Sequence, residues 1–437
     1  MNKTDPGTRE WVSWNGNIRH TCSEIYYPRS EQELVDAVRG SGQIRAFGNK
    51  QSSADIAAGT TALISIDGYN RILAINEEQR EITAESGIHL ADLLTKIDEL
   101  GWSLSALPDI NTITLAGAVT TATHGTAGAG RILSDHMVRC RVVLADGTVQ
   151  EFDENDPEMP ALRVSLGVLG IFSTITLRCD PGFALAVVER PSPDNEWSQT
   201  FRELLAAHPF VRILSLPHTG YGYLITGDYA QQPPPGKKAP WWVGYRRALS
   251  AWLYRRTVRF PRFTVFANRL IKRLFFSHTQ TGFGTLYEAT VTKSRGSTLE
   301  LAEWSVAMED FESLFAELSQ ALNDPDNPAF AHIPMDVRFL RADSNWLSYA
   351  YERDCVTVGC VTRTPAHADQ YAAFEKVEQI FRRYAGRPHW AKRHMMRGDD
   401  FDKVYPRWKD FRELRRRMDP HGKFLNSYLR ELLGEEI

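Results

Sequence analysis

Three places in the 437-residue chain carry side chains that could do chemistry. In Met335-Asp336-Val337-Arg338-Phe339, a strand would put Asp336 and Arg338 on one face and Val337 and Phe339 on the other. Such a pair can bind a hydroxyl and stabilise developing negative charge, or it can be a structural ion pair. The second place is Arg387-Pro388-His389-Trp390-Ala391-Lys392-Arg393-His394, dense in cations and without an acid until Asp399. Its two histidines are five apart, but no HExxH pattern or carboxylate accompanies them, so no metal site is expected. The third joins Gly48-Asn49-Lys50-Gln51-Ser52-Ser53 to the stretch AGAVTTATHGTAGAG at 116–130. Where glycine, alanine and threonine dominate, backbone amides can meet a phosphate or a flat ring; a turn between core elements is the plainer alternative. There is no GxSxG elbow and no cysteine with an evident histidine partner, so acyl transfer has no support.

The elements that must hold these places alternate. Residues 29–38 read as a helix opened by Ser30 with Glu33 three positions on, leading to a strand at 43–47 that ends in the 48–53 loop. Strands follow at 63–66, 72–75 and 79–86, then a helix at 90–100 closed by Gly101 and a hairpin of 138–144 and 149–152 around Asp146-Gly147. Residues 164–177 read as a strand pair or a helix-to-strand passage. Strands at 299–308, 333–339 and 355–361 alternate with helices at 310–322 and 366–384. The class is α+β. No GxGxxG follows the first strand, so a Rossmann dinucleotide unit is unsupported. From the residues alone the reading is an α+β enzyme that uses a phosphorylated cofactor.

Length implies two to three domains, and 43% hydrophobic with 24% charged residues fits a folded globular chain. A net charge of −3 gives no global attraction to nucleic acid or anionic lipid. Five cysteines without a CxxC pair support neither a disulfide framework nor a thiolate zinc site. With no signal-like start and no run of eighteen apolar residues, a cytoplasmic protein is expected. Residues 231–276 differ from the rest: they hold eleven Lys or Arg, no acid, and many interleaved aromatics. Three readings stay open there: a solvated basic face with aromatics in the core or an oligomer contact, an interfacial helix on an anionic membrane, and single-stranded nucleic acid. The near-neutral whole disfavours the last.

IRAFGNKQSSADIA, GWSLSALPDINTITLAGAVTTATHGTAGAG, RVSLGVLGIFSTITL, RPHWAKRH and DPHGKFLNSYL occur in one order along the chain. In these blocks the chain resembles the sugar-lactone and alditol oxidases of the vanillyl-alcohol-oxidase flavoprotein superfamily. The resemblance implies a two-subdomain α+β FAD-binding domain at 1–180 and an α+β substrate (cap) domain at 181–410, with the basic aromatic insert at 231–276. It also implies a tail at 411–437 packing back on the first domain. Ala46, Phe47, Gly48, Asn49, Lys50, Gln51 and Ser52 would form the pyrophosphate loop. Asp109, Thr114, Gly117, Ala118, Val119 and Thr120 would continue the flavin cradle, with Ile171 at the adenine end and His389 reaching the flavin from the substrate domain. His124 would be structural or a flavin neighbour.

The family's catalytic acid-x-Arg pair and HWxK lysine would be Asp336, Arg338 and Lys392. Removing a hydride from a carbinol carbon to flavin N5 explains the types. Arg338 would stabilise charge at the reacting oxygen or the reduced flavin, Lys392 would orient or accept from the hydroxyl, and Asp336 would bind a substrate hydroxyl and hold Arg338. The implied substrate is a sugar-like alcohol, alditol or aldonolactone, with O₂ or another acceptor reoxidising the flavin. A peripheral-membrane dehydrogenase of a lipid-linked sugar, touching the bilayer through 237–276, and a decayed flavin-binding protein are the alternatives. Four departures bear on this. Gln51 stands where the family has a histidine covalently linked to flavin, so FAD is expected to be non-covalent. Asp336 replaces the usual Glu, a polar substrate-binding pair falls on Gly359 and Val361, and the basic insert is individual.

Overall fold

The computed structural model describes residues 9–126, 130–235, 241, 245–260, 262–290, 299–324, 326, 335–363 and 368–435. Its first sheet is small and parallel: β1 (Glu24–Tyr26), β2 (Ile44–Phe47) and β3 (Ala62–Ser65), in the order β1-β3-β2. Parallel neighbours need a crossover, and α1 (Glu31–Gly40) helps supply it. Ser30 caps this helix by accepting from Glu33 N, while Leu34, Val35 and Val38 bury its apolar stripe.

A second, antiparallel sheet runs β7-β6-β8-β5-β4, from β4 (Ile72–Asn76), β5 (Glu81–Glu85), β6 (Met137–Val143), β7 (Val149–Asp153) and β8 (Ile171–Arg178). The expected 138–152 hairpin is its β6–β7 edge. Helix α2 (Leu90–Glu99) ends before Gly101, whose φ of 70° supplies the left-handed turn, and α3 (Leu115–Thr120) has Thr114 as its N-cap. Of residues 164–177, only those from Ile171 form a strand. The preceding residues turn tightly through Leu166, Gly167 and Gly170, all at positive φ, and a Cβ on Gly170 would overlap Val142.

The third sheet has eight antiparallel strands: β9 (Ala184–Pro193), β10 (Phe210–Leu216), β11 (Tyr221–Tyr229), β12 (Gln280–Thr285), β13 (Leu299–Ala307), β14 (Met335–Leu340), β15 (Cys355–Arg363) and β16 (Arg387–Pro388). Their order is β12-β9-β11-β10-β14-β15-β13-β16. The two faces of β14 differ as a period of two requires. Phe339 packs on Phe201 of α4 (Asp194–Ala207), with ring centroids 5.4 Å apart, while Asp336 and Arg338 take the opposite, polar face. The register sets Glu303, Gly359 and Asp336 in one row across β13, β15 and β14, and Ser305, Thr357, Arg338 and Arg212 in a parallel row that extends to β10.

The basic segment contains α5 (Arg246–Arg259) and α6 (Phe263–Phe275). Leu253, Tyr254, Ile271 and Phe275 are buried, but Trp252, Phe260 and Phe266 are exposed, so only part of its aromatic content serves the core. Helices α7 (Phe311–Leu322) and α8 (Ala368–Arg383) follow β13 and β15. The chain then forms α9 (Trp408–Met418) and α10 (Ser427–Leu433) and returns to the first sheet. Ile44 N donates to Lys423 O at 3.0 Å. The buried Arg45 guanidinium donates to the carbonyls of Phe424, Gly167, Leu166 and Ile56 at 2.6–2.9 Å. All five cysteines are buried thiols. Among the described residues no helix is long and apolar enough to cross a membrane.

Candidate active site

The loop after β2, helix α3 and the polar face of the large sheet enclose a cleft of ≈ 1410 Å³ including its open mouth. Its wall contains Ala46, Phe47, Gly48, Asn49, Lys50, Gln51 and Ser52, then Asp109, Thr114, Gly117, Thr120 and Ile171, and finally Arg338, His389 and Lys392. Three sequence-derived candidates are not on the wall. Ala118 and Val119 are fully buried in the core, because only one stripe of the short α3, through Gly117 and Thr120, can face the cleft. Asp336 is likewise set back, with its carboxylate occupied by arginines.

The loop's shape follows from close approach. A Cβ on Gly48 would overlap the Thr114 side chain, so only glycine brings the strand end this near the start of α3. Asn49 Nδ2 donates to Thr112 O at 2.6 Å. Lys50 sits at φ 55° with its ammonium over the rings of Phe47 (5.3 Å) and Trp11 (5.9 Å). Ser53 N donates to Ala391 O at 2.8 Å, which ties the loop to the 387–394 block. Four wall residues hold buried polar atoms with no partner among the described residues: Arg45 Nε, Ser53 Oγ, Ser86 Oγ and Arg338 Nε. Buried groups of this kind are normally satisfied, so the wall suits a ligand with polar atoms along much of its length.

On the sheet face, Arg212 and Arg338 lie directly opposite each other on β10 and β14. Like charges in that relation repel. Two carboxylates offset the repulsion. Arg212 donates to Asp336 through Nε (2.8 Å) and Nη2 (2.6 Å) and to Asp109 at 3.1 and 2.8 Å; Arg338 pairs with the same two aspartates. Burial works against ionising Asp336, but Arg212 and Arg338 outweigh it and hold the carboxyl well below the usual range. Burial likewise disfavours the Arg338 cation, and Asp109 and Asp336 more than offset this, raising it above the ordinary value.

Beside this tetrad lies a second buried group. The Glu303 carboxylate of β13 accepts from His124 Nε2 at 2.6 Å and pairs with Lys392. His389 packs at 5.8 Å from His124 and 5.4 Å from Tyr349, ring to ring. Burial first, then the nearby Lys392 cation, hold His389 well below its ordinary pKa, so its imidazole is neutral. Among the described residues no cluster of three or more His, Cys, Asp or Glu is arranged for a metal.

Sequence reasoning missed Arg212 and Glu303. Arg212 is the one charge in the strand FVRILSL, and Glu303 is one of two glutamates in the largely apolar strand LELAEWSVA; a buried charge demands a partner. That signal was available; the partners are set by strand register, which it does not reveal.

The model for the D-arabinono-1,4-lactone oxidase family matches residues 175–432, and that for an FAD binding domain matches residues 23–153. The chain belongs to the D-arabinono-1,4-lactone oxidase family. It is 30% identical to L-gulonolactone oxidase of Mus musculus, covering 94% of this chain and 96% of that one. It is 29% identical to L-gulono-1,4-lactone dehydrogenase of Mycobacterium tuberculosis (97% and 99%), and 24% identical to alditol oxidase of a Streptomyces species (97% and 98%). The crystal structure of cholesterol oxidase from B. sterolicum shares the fold, with a TM-score of 0.81 over 98% of this chain and 97% of that one at 14% identity. The fold is thus the expected α+β architecture of the vanillyl-alcohol-oxidase type, and the chain is an FAD-dependent oxidoreductase. The cleft's residues fit that cofactor: its loop admits close approach at Gly48, and its wall carries unpaired buried polar atoms.

Proposed function

We propose that this oxidoreductase takes a CH–OH group of a sugar-like alcohol, alditol or aldonolactone, with O₂ or another acceptor completing the cycle. What supports the reading is the placement of two cations, Arg338 and Lys392, on the wall of one cleft with the loop 46–52. Bound FAD would accept the hydride from the carbinol carbon. The chain's own part is electrostatic. Arg338 and Lys392 stabilise negative charge on the substrate oxygen as its proton leaves to water in the open mouth, a contribution of order 10²-fold or more in rate. Asp336 acts through Arg338, holding the guanidinium in place, and substrate hydroxyls are left to groups on the wall. Ala46–Ser52, Asp109, Thr114, Gly117, Thr120, Ile171 and His389 hold the cofactor. Gln51 has no nucleophile to offer the flavin, so FAD is held without a covalent bond. Acid precipitation tests this: flavin in the supernatant is expected, and a yellow pellet would contradict it.

A second feature favours a peripheral place for a cytoplasmic enzyme on an anionic membrane. Removing the +11 of residues 231–276 from the chain's net −3 leaves −14 on the other residues, so the segment is a basic island on an acidic protein. Exposed Trp252, Arg255, Arg256 and Arg259 share one face of α5, and exposed Arg262, Phe266, Arg269 and Arg273 follow helical spacing along α6. Arginine beside exposed aromatics suits a bilayer interface, whereas a second copy of so basic a face would be repelled. Sedimentation with vesicles containing anionic lipid should carry the protein down in low salt, and replacing Arg255, Arg256, Arg259 and Arg262 by alanine should leave it in solution with its flavin. Equal sedimentation of both proteins would contradict the reading, as would binding to an oligonucleotide but not to vesicles.

A further inference from the structure

Glu303 is 5% exposed at the centre of β13 and stands behind the cleft wall, while the groups it touches stand on it. Lys392, His389 and His124 all line the cleft, and the first and last of these meet in this single carboxylate: Oε2 pairs with Lys392 Nζ, and Oε1 lies 2.6 Å from His124 Nε2. The loop that carries Lys392 is itself hung on the same strand. His389 N donates to Glu303 O and Arg393 N to Leu301 O, both at 2.9 Å. The lysine and its counter-ion therefore move as one piece.

The groups facing Glu303 from the surrounding elements are Lys392 and His389, His124, Arg338 of β14, and Tyr349 of the loop before β15. Across the sheet from it stands Gly359, where even a Cβ would come to 3.5 Å from Oε2. Burial opposes ionising Glu303, but Lys392 and His124 prevail and hold it well below the usual carboxylate range. A buried carboxylate in contact with an amine favours the ammonium form of that amine.

We propose that Glu303 is a positioning residue for the oxidation: it fixes Lys392 as an ammonium at the cleft wall and engages His124 Nε2. On this account Lys392 donates to the reacting oxygen and does not take the hydroxyl proton. The inference rests on the reaction proposed above.

The test compares wild type, Glu303→Gln and Glu303→Asp as FAD-loaded full chains. Two readouts are used: the pH profile of anaerobic flavin reduction by a panel of polyols and lactones, and acylation of Lys392 by acetic anhydride, followed by peptide mass spectrometry. Glu303→Gln should slow flavin reduction about 10²-fold, and its alkaline limb should move at least about one pH unit lower as the ammonium loses its counter-ion. Lys392 should acylate roughly tenfold faster at pH 8, and Glu303→Asp should restore part of each effect. An unchanged alkaline limb and unchanged Lys392 labelling in Glu303→Gln would overturn the proposal even if the rate fell, because a merely structural role predicts that pattern. If Glu303→Gln gives no soluble protein, equal Lys392 labelling in wild type and Glu303→Asp overturns it. Failure of the reaction assignment looks different: wild-type flavin would bleach with no member of the panel, while the labelling contrast stands.

Discussion

The polar face of the eight-stranded sheet and the outer face of the α5–α6 hairpin both display arginine, and they treat it in opposite ways. On the sheet, Arg212 and Arg338 are buried opposite each other and tied to Asp109 and Asp336, so that two cations and two anions cancel. On the hairpin, Arg255, Arg256 and Arg259 are exposed in a segment with no acid, and the nearest ring partners are aromatic: Arg256 lies 4.2 Å over Trp252 and Arg259 5.8 Å over Phe260. A charge that folding removes from water must be paired within the chain; a charge left in water can wait for a partner outside it. The first arrangement marks chemistry done by the fold itself, and the second marks a surface.

The contrast breaks most sharply at Arg338. Its replacement by alanine should slow flavin reduction by about 10²–10³-fold, measured by stopped flow under anaerobic conditions; a loss under tenfold would mean that the sheet's cations are structural only. Next comes Arg212, which touches both aspartates but is not on the cleft wall. Arg212→Leu leaves two carboxylates sharing one guanidinium and should cost about 3–5 kcal/mol in urea unfolding. Removing Asp336 as well should recover part of that loss.

A smaller effect, outside both regions, is read by pH. His394 is buried against Trp304, Trp390 and Phe401, and burial, then Arg397, lowers its pKa to about 3. Its unfolded value is about 6.5, so between these values the unfolded chain binds the extra proton. Stability is therefore full above about pH 6.5 and falls on acidification, by up to about 1.4 kcal/mol per pH unit for this histidine. His394→Phe should flatten that slope in denaturation measured from pH 7 to 4. The smallest effect belongs to the hairpin: Trp252→Ser with Phe266→Ser should shift stability by no more than about 0.5 kcal/mol per site while abolishing vesicle binding. A large loss of stability would put these rings in the core after all.

How much of this was legible before the fold was known depended on the range of the signal. Helix α1 with its Ser30 cap, the 138–152 hairpin and the alternation of Asp336 and Arg338 are local patterns, and the structure has them. The loop at 48–53 could be found because it is a local run of polar residues that ends a strand; that Gly48 is required by Thr114, 66 residues on, is visible only in the fold. Ala118 and Val119 were placed on the wall because a motif has no faces, whereas a six-residue helix does. Arg212 and Glu303 escaped for the opposite reason. Arg212 is conspicuous as the lone charge of its strand and Glu303 as one of two in a largely apolar one, yet their partners lie 103 and 124 residues away for Arg212 and 89 and 179 for Glu303. Only the register of the sheet brings them together.

The central claim is that two wall cations serve the oxidation of a sugar-like CH–OH group, and one measurement reaches it directly. The FAD-loaded chain is mixed anaerobically with a panel of aldonolactones, alditols and free sugars, and the flavin absorbance is followed. Bleaching by at least one member of the panel, abolished or slowed at least about 10²-fold in Arg338→Ala, is the predicted result. A flavin that stays oxidised with every member, or that bleaches equally in Arg338→Ala, would contradict the account.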